Sequence, residues 1–208
     1  STLSPSSAAS DVYKRQERIV FIPAMGWQDY NYIKYARVAG EDSNAVVSFH
    51  YYLPMLLSHY KMLAWVGYQG AVQYPGVVIP TQSDADKYPQ YASFHKTTYN
   101  ADRIMGEMSN AASDGRNAGL AVHCGEFGCS KNVAEAMRLA WFTDMVAAME
   151  ANNIPWTLWE CLDGGFGFVD MEYGIYRINC PLLKVLTGKE LTDAEAKALL
   201  QKYGFKTE

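Results

Sequence analysis

Four short apolar runs, each followed by a segment of helical character, constrain the fold of this 208-residue chain more than any other feature. The runs are Ile19–Ile22, Ala45–Phe49, Leu120–Cys124 and Ile154–Trp159. Apolar runs of this length that alternate with helices are typical of buried parallel strands joined by helical crossovers. The sequence therefore predicts an α/β protein of four consecutive βα units, with helices covering the outside of the sheet.

Helical spacing and end signals predict where the helices lie. They are Tyr30–Ala39, a segment from Tyr91 to Ser113 that ends by Gly115, Val133–Ala151, and Ala194–Lys202 after a Thr192-Asp193 cap. A long aromatic loop is expected between Tyr51 and Tyr88. Trp141 and Phe142, within the third helix, are expected to be core residues.

The turn after the first strand separates two parallel architectures. A doubly wound nucleotide-binding sheet would carry G-x-G-x-x-G there, and Ala24-Met25-Gly26-Trp27 does not match it. The sequence also contains no P-loop motif. Four βα units without a phosphate turn favour half of an eight-stranded barrel, that is, a partial (β/α)8 TIM barrel.

The first 17 residues differ in composition from the remainder. Ser1–Ser10 is rich in Ser and Ala and is followed by a charged stretch, with no apolar segment of a signal peptide. Ser6–Gln16 also resembles a translated adaptor segment found at the broken ends of metagenomic gene models. We therefore expect residues 1–17 to be a non-native or disordered leader and residues 18–208 to form the domain.

Composition excludes several classes of function. A formal net charge of −4 argues against a nucleic-acid partner, and no apolar run is long enough for a membrane span. Cys124, Cys129, Cys161 and Cys180 lack zinc-site spacing, so no metal or cofactor is predicted, although Cys124 and Cys161 could lie close together. An aromatic content of 13% is compatible with sugar stacking as well as core packing.

Strand alternation predicts which side chains face the barrel interior. The inward sets are Ser48, His50 and Tyr52 on the second strand, Val122, Cys124 and Glu126 on the third, and Thr157 and Trp159 on the fourth. His123 is expected to face the helices. His50, Tyr52, Glu126 and Trp159 would then meet at one mouth of the barrel. A carboxylate flanked by hydroxyl, imidazole and indole groups suits glycoside hydrolysis.

Four stretches in fixed order resemble family 5 of the glycoside hydrolases, the cellulase family. They are VVSFHYYLP (46–54), Tyr74-Pro75-Gly76 with Ile79-Pro80, CGEFG (124–128) and WTLWECLDGGFG (156–167). Their order and spacing are similar to the sixth, seventh and eighth strands of that family's barrel, and Arg18–Trp27 looks like the fifth. The resemblance implies the last four βα units of a (β/α)8 catalytic domain.

The resemblance also implies roles for individual residues. Glu126 matches the nucleophile, His50 and Tyr52 match a pair that contacts substrate and nucleophile, and Trp159 matches an aromatic platform. The family is retaining, so a second carboxylic acid about 5 Å from the nucleophile is implied. The implied ligand is a β-linked oligo- or polysaccharide, and the implied location is secreted or periplasmic.

That second carboxylic acid is the point at which the chain departs from the family. The family takes it from an Asn-Glu pair that ends strand four, and no Asn-Glu occurs in this sequence. Glu160, Glu172 and Asp163 are the local carboxylates left to consider, with Glu160 expected on the outer face. Among other residues near the mouth, His59 is expected to be a loop histidine, whereas Trp27, Trp65 and Tyr68 suit either packing or sugar stacking.

Together, these features lead to the interpretation that the chain is a fragment of a cellulase-like endoglucanase that lacks the acid/base half. The alternatives are a β-mannanase or other β-glucanase of the same family, or a non-catalytic carbohydrate-binding protein. Because closing a barrel removes the free edges of its sheet, the fragment is also expected to self-associate through open barrel edges.

Overall fold

The computed structural model describes residues 18–38, 43–62, 67–162 and 164–208, so the expected leader at 1–17 lies outside the described part. The strands are β1 (Val20–Pro23), β2 (Ala45–Tyr51), β3 (Gly76–Val77), β4 (Thr98–Tyr99), β5 (Ala121–Phe127), β6 (Trp156–Leu158), β7 (Val169–Glu172) and β8 (Ile175–Ile178). The helices are α1 (Met25–Gln28), α2 (Met55–Ser58), α3 (Gln82–Lys87), α4 (Ala101–Ala118), α5 (Glu135–Ala151), α6 (Cys180–Thr187) and α7 (Asp193–Lys202). Two 3₁₀ helices cover Tyr30–Tyr35 and Pro89–Lys96.

One parallel sheet of four strands, in the order β1-β2-β5-β6, organises the chain. These are the four strands expected from the apolar runs, and spatial neighbours in this sheet follow one another along the chain. The other strands form two small antiparallel pairs, β3 with β4 and β7 with β8. The prediction of successive parallel βα units is therefore confirmed.

Two of the predicted helices differ from the observed ones. The segment expected to be helical from Tyr91 to Ser113 contains a 3₁₀ helix, the short strand β4 and then α4. Helix α4 begins after Asn100, whose side chain accepts a hydrogen bond from the Arg103 amide, and ends at Gly119 in the left-handed conformation (φ 70°). The helix expected at Tyr30–Ala39 is a 3₁₀ helix that ends at Tyr35.

The other two helices match the prediction closely. Helix α5 begins at Glu135, two residues after the expected start, and ends at Ala151 as expected. Helix α7 begins after Thr192, which forms a capping box with Glu195: the Thr192 side chain accepts from the Glu195 amide, and the Glu195 carboxylate accepts from the Thr192 amide.

The main core lies between the sheet and helices α4 and α5. Val47, Phe49 and Tyr51 alternate along β2 and are fully buried on this side. Trp141 and Phe142 of α5 are also fully buried and pack their rings against Phe127, with centroids 6.3 and 5.9 Å away. The prediction that both are core residues is confirmed.

The inner face of the sheet carries a different set of side chains from the one predicted. His123 Nδ1 lies 3.4 Å from the Ser48 hydroxyl, His123 Nε2 lies 3.2 Å from the Thr157 hydroxyl, and the Phe21 ring packs on the imidazole at 4.9 Å. Ser48 and Thr157 thus share the inner face as expected, but the prediction that His123 faces the helices is wrong.

Val122 and Cys124 were expected on that inner face and lie on the opposite one. Both are buried in the core, and Val122 fits against Gly115 of α4, where a Cβ would be only 2.0 Å from its Cγ2. The alternation is offset because β5 contains an irregularity between Cys124 and Phe127.

The four-stranded sheet has two edge strands, at which another chain could pair. Strand β1 lies at one margin and β6 at the other. Ile19, Val20 and Phe21 are exposed beside the first margin, and Phe21 and His123 line a cavity of about 650 Å³ at this end of the sheet. Within the ranges that the structure describes, no helix is both long and apolar enough to cross a membrane.

Candidate active site

The carboxyl ends of β2 and β5 bring three of the predicted site residues into contact. The Tyr52 hydroxyl donates a hydrogen bond to Glu126 Oε2 at 2.9 Å. His50 Nδ1 lies 3.3 Å from the same oxygen. One side chain of β2 and one from the residue just after it therefore converge on a single oxygen of the carboxylate at the end of β5.

A bulge at Gly125 is what turns Glu126 toward His50 and Tyr52. In the register between β2 and β5, Phe49 pairs with Cys124 and His50 pairs with Glu126, so Gly125 has no counterpart. An extra residue of this kind resets the alternation of a strand and re-aims the side chains after it. Without it, Glu126 would share a face with Val122 and Cys124, which are buried against the helices.

The electrostatics keep both partners of Glu126 able to donate. Burial, together with the hydrogen bond to Glu126 and its negative charge, raises the pKa of Tyr52 well above its usual range, so the phenol stays protonated. Burial lowers the pKa of His50, and the Glu126 charge opposes this only in part. A neutral imidazole with its proton on Nδ1 can donate to the carboxylate.

Trp159 follows β6, the strand that pairs with β5. Its backbone amide donates to the Phe127 carbonyl at 3.0 Å, and 46% of the residue is exposed. The approach of the strand ends requires a glycine, because a Cβ at Gly128 would lie 2.2 Å from the Trp159 carbonyl oxygen. The peptide bond between Trp159 and Glu160 is cis.

An aromatic cluster supports Tyr52 from the side of the loops. The His59 ring lies 4.9 Å from the Tyr52 ring and 5.2 Å from the Phe166 ring, and Phe166 lies 5.9 Å from Tyr52. These ring contacts make His59 a packing residue of the site, and burial lowers its pKa. The sequence reasoning did not single out Phe166, although the stretch Gly164–Gly167 that contains it was noted.

Glu160 and Glu172, two of the carboxylates considered as the second acid, differ in their burial. Glu160 lies near enough to Tyr52 to contribute to the raised pKa of that phenol. Its Oε1 is buried and has no hydrogen-bond partner in the described ranges. Glu172 is exposed in β7, and Asp163 lies outside the described residues.

Trp27 and Tyr68, two of the remaining aromatic candidates, differ in their exposure to solvent. Trp27 is 98% exposed, in the short element α1 at the carboxyl end of β1, where Gly26, Trp27 and Gln28 have left-handed φ values between 61° and 63° and so depart from helical geometry. Tyr68 is a core residue packed on Tyr88 and Tyr91, which favours the packing alternative for it. Trp65 lies outside the described residues.

The cysteines form neither disulfides nor, within the described ranges, part of a metal-binding group. All four cysteines are free, with Cys124 buried and Cys161 exposed, so the two do not pair. In the described part of the chain, no group of three or more His, Cys, Asp or Glu side chains could hold a metal ion.

Comparison with known proteins places this chain in a family. The family model for cellulase, glycosyl hydrolase family 5, matches residues 11–165, which is well over half of the chain. This chain belongs to glycosyl hydrolase family 5. The match includes the ends of β2, β5 and β6, from which the candidate site is built.

Relatives in this family are distant in sequence. Endoglucanase C of Acetivibrio thermocellus is 22% identical over 143 residues, which is 65% of this chain and 39% of that protein. A hyperthermophilic endo-β-1,4-glucanase solved with substrate is 22% identical, with a TM-score of 0.64, over 90% of this chain and 53% of that one. Cel5A of Thermotoga maritima, solved with cellobiose and with mannotriose, is 18% identical, with a TM-score of 0.59, over 87% and 52% of the two chains.

Two facts follow for the family 5 chain. The structural likeness confirms the predicted fold class, a partial (β/α)8 barrel. The chain spans 39% of the length of the curated relative and about half of the solved structures that it matches.

Proposed function

We propose that this chain is the C-terminal half of the catalytic domain of a retaining endo-β-1,4-glucanase, in which Glu126 is the nucleophile. The observation that carries the proposal is the convergence of Tyr52 and His50 on Glu126 Oε2, at 2.9 and 3.3 Å. Both contacts hold one carboxylate oxygen, so the other, Oε1, is the oxygen that attacks. On this proposal β1, β2, β5 and β6 are the fifth to eighth strands of the barrel.

The reaction would proceed in two displacements. In the first, Glu126 Oε1 bonds to the anomeric carbon while the bond to the leaving glycosidic oxygen breaks and that oxygen gains a proton. In the second, water attacks the same carbon, loses a proton to the group that supplied the first one, and releases Glu126. Tyr52 and His50 orient the carboxylate, and their hydrogen bonds weaken as its charge is lost in the ester and return when it is freed.

Protonation of the leaving group requires a second carboxylic acid about 5 Å from the nucleophile. We propose that this acid comes from an Asn-Glu strand end in the other half of the barrel, because the sequence contains no Asn-Glu. General acid catalysis alone contributes about 10²- to 10⁴-fold to such reactions. The 208-residue chain by itself is therefore expected to be inactive.

The proposed substrate is a β-1,4-linked glucan. The exposed side chains of Trp27 and Trp159 follow β1 and β6, the fifth and eighth strands on this proposal, and provide apolar surfaces for pyranose rings. An endo-β-1,4-glucanase and an enzyme solved with cellobiose are among the structural relatives. The same enzyme was also solved with mannotriose, which favours a β-mannanase as the second candidate.

The non-catalytic alternative is a carbohydrate-binding protein that uses the same aromatic surfaces. It differs in one respect, since it needs no charge on Glu126. On the hydrolase proposal the domain is residues 18–208, residues 1–17 are a leader outside it, and the complete protein is secreted or periplasmic.

Chemical rescue distinguishes hydrolysis from binding. In a barrel completed with the first four βα units of a family 5 endoglucanase, Glu126→Ala should nearly abolish turnover of carboxymethylcellulose. Added azide should then restore cleavage of an activated cellobioside and give the glycosyl azide of inverted configuration, since azide takes the place of the missing nucleophile. A Glu126→Ala variant with normal turnover would reject the proposed role, and His50→Ala should be the milder change because imidazole only orients.

A further inference from the structure

Arg138, in the first turns of α5, is a buried cation of unusual environment. It is 2% exposed, although arginine is rarely buried without a partner. Its Nε donates to the Cys129 carbonyl at 2.9 Å, and its Nη2 donates to the carbonyls of Phe166 and Gly167 at 2.5 and 2.8 Å. In the described ranges no carboxylate forms a salt bridge with it.

The three carbonyls belong to the two segments that follow the candidate site residues. Cys129 lies in the turn after β5, three residues beyond Glu126, whereas Phe166 and Gly167 lie in the loop after β6 that begins at Trp159. One further backbone hydrogen bond, from the Lys131 amide to the Gly165 carbonyl at 2.8 Å, joins the same segments. The guanidinium therefore ties the two loops together, and the Lys131 ammonium adds a bond to the Val169 carbonyl at 2.8 Å, just beyond the second loop.

A short series of contacts connects this cation to Glu126. The Phe166 carbonyl accepts from Arg138, and the Phe166 ring packs on Tyr52 at 5.9 Å and on His59 at 5.2 Å. The Tyr52 hydroxyl in turn donates to Glu126. Arg138, Phe166, Tyr52 and Glu126 are thus linked by successive contacts, from the guanidinium to the carboxylate.

We propose that Arg138 is a positioning residue: by holding the Phe166 and Gly167 carbonyls it seats the Phe166 ring against Tyr52 and so keeps the Tyr52 hydroxyl on Glu126. The meaning of this for catalysis rests on the proposed function. A guanidinium suits the task because its planar set of donors serves several carbonyls at once and stays charged, whereas a lysine ammonium presents a single point charge. Hydrogen bonds from a charged donor are also about twice as strong as neutral ones.

The test uses the 208-residue chain and measures the surroundings of the cluster directly. NMR titration of the histidines gives the pKa of His59, which burial between Tyr52 and Phe166 lowers, with the Ser58 hydroxyl 3.0 Å from its Nδ1 as the polar neighbour. Ring resonances of Tyr52, assigned with Tyr52→Phe, report on the phenol. The variants are Arg138→Lys, which keeps the charge, and Phe166→Leu, which keeps the carbonyl and removes the ring.

Both variants should expose His59 to water, so that its pKa rises toward the ordinary value of about 6.5, and both should shift the Tyr52 ring resonances. The pKa of His123, lowered by burial on the inner face of the sheet, should not change and serves as the internal control. Phe166→Leu keeps the experiment decisive if Arg138→Lys fails to fold.

Unchanged His59 and Tyr52 signals in a folded Arg138→Lys variant of lower thermal stability would reject the proposal, because Arg138 would then only stabilise the loops. A Phe166→Leu variant with an unchanged Tyr52 would reject it as well. No sugar and no turnover enters the measurement. The outcome is therefore independent of whether Glu126 proves to be a nucleophile, which the azide experiment decides.

Discussion

A Cβ at Gly125 would lie 2.5 Å from the Ser48 hydroxyl oxygen, closer than real Cβ atoms approach other atoms. The bulge that turns Glu126 into the site therefore packs directly on the neighbouring strand, and a larger residue there would require the Ser48 side chain to move. The same glycine therefore affects both the register between β2 and β5 and the direction of the Glu126 side chain.

Gly125→Ala is expected to destabilise the chain by about 1–3 kcal/mol, the usual cost of overpacking, and to shift β5 relative to β2. Gly106→Ala is the matched control, since a Cβ there meets nothing within 4 Å on an exposed stretch of α4. That control should gain up to about 1 kcal/mol from helix propensity. Urea unfolding measures both, and equal effects in the two variants would contradict the steric account.

Much of this arrangement was predictable from the sequence, and the bulge was not. The apolar runs predicted the four parallel strands, and the residues at their ends were identified as candidates. Strict alternation then placed His123 outside and Val122 and Cys124 inside, because a one-residue insertion in a strand leaves no mark in the hydrophobic pattern. The prediction that Glu126 lies on the inner face relied on strict alternation along the strand. That alternation does not hold in β5, where the bulge at Gly125 intervenes.

The other errors have different physical causes. The end of α4 was expected at Gly115, which instead accommodates Val122 inside the helix, whereas the left-handed Gly119 ends it. Arg138 carried no signal, since a charged residue in an amphipathic helix is ordinarily solvated and its burial depends on carbonyls 28 and 29 residues away. Tertiary contacts of this kind cannot be read from local spacing.

Acidification should destabilise the chain through three partly buried histidines. Burial lowers the pKa values of His50, His59 and His123 in the folded state, below the value of about 6.5 expected when unfolded. Between these values the unfolded chain binds more protons, so the free energy of unfolding should fall as the pH drops below about 6.5. Urea unfolding across this range measures the slope, which His123→Gln should reduce. Stability that stays constant or rises on acidification would argue against the burial of these rings.

Self-association through the sheet margins is expected for the isolated chain. The exposed strand β1 carries Phe21, which is 54% exposed, and unpaired apolar margins promote pairing with another chain. Light scattering after size exclusion should give a mass that rises with concentration and falls in Phe21→Lys. Tyr203→Lys, an exposed aromatic at the end of α7, is the control. A monomer at all concentrations that melts cooperatively would indicate that these four units are complete by themselves.

Removal of the exposed indoles should weaken sugar binding. Trp159→Ala and Trp27→Ala in the completed barrel are each expected to lower the affinity for cellohexaose by about tenfold, or ~1.4 kcal/mol, through the loss of stacking. Tyr173→Ala is the control, because Tyr173 is 95% exposed at the turn between β7 and β8. Isothermal titration separates these cases, and equal losses in all three variants would mean that exposure alone, and not position, governs the effect.

The most direct test of Glu126 as the nucleophile is covalent trapping. A 2-deoxy-2-fluoro cellobioside with a fluoride leaving group needs no protonation to depart, so the first displacement proceeds while the fluorinated ester turns over slowly. In the completed barrel, peptide mass spectrometry is expected to find the added disaccharide on the peptide that contains Glu126, and to find none in Glu126→Gln. A disaccharide attached to Glu160 or to another carboxylate, with Glu126 unmodified, would contradict the account.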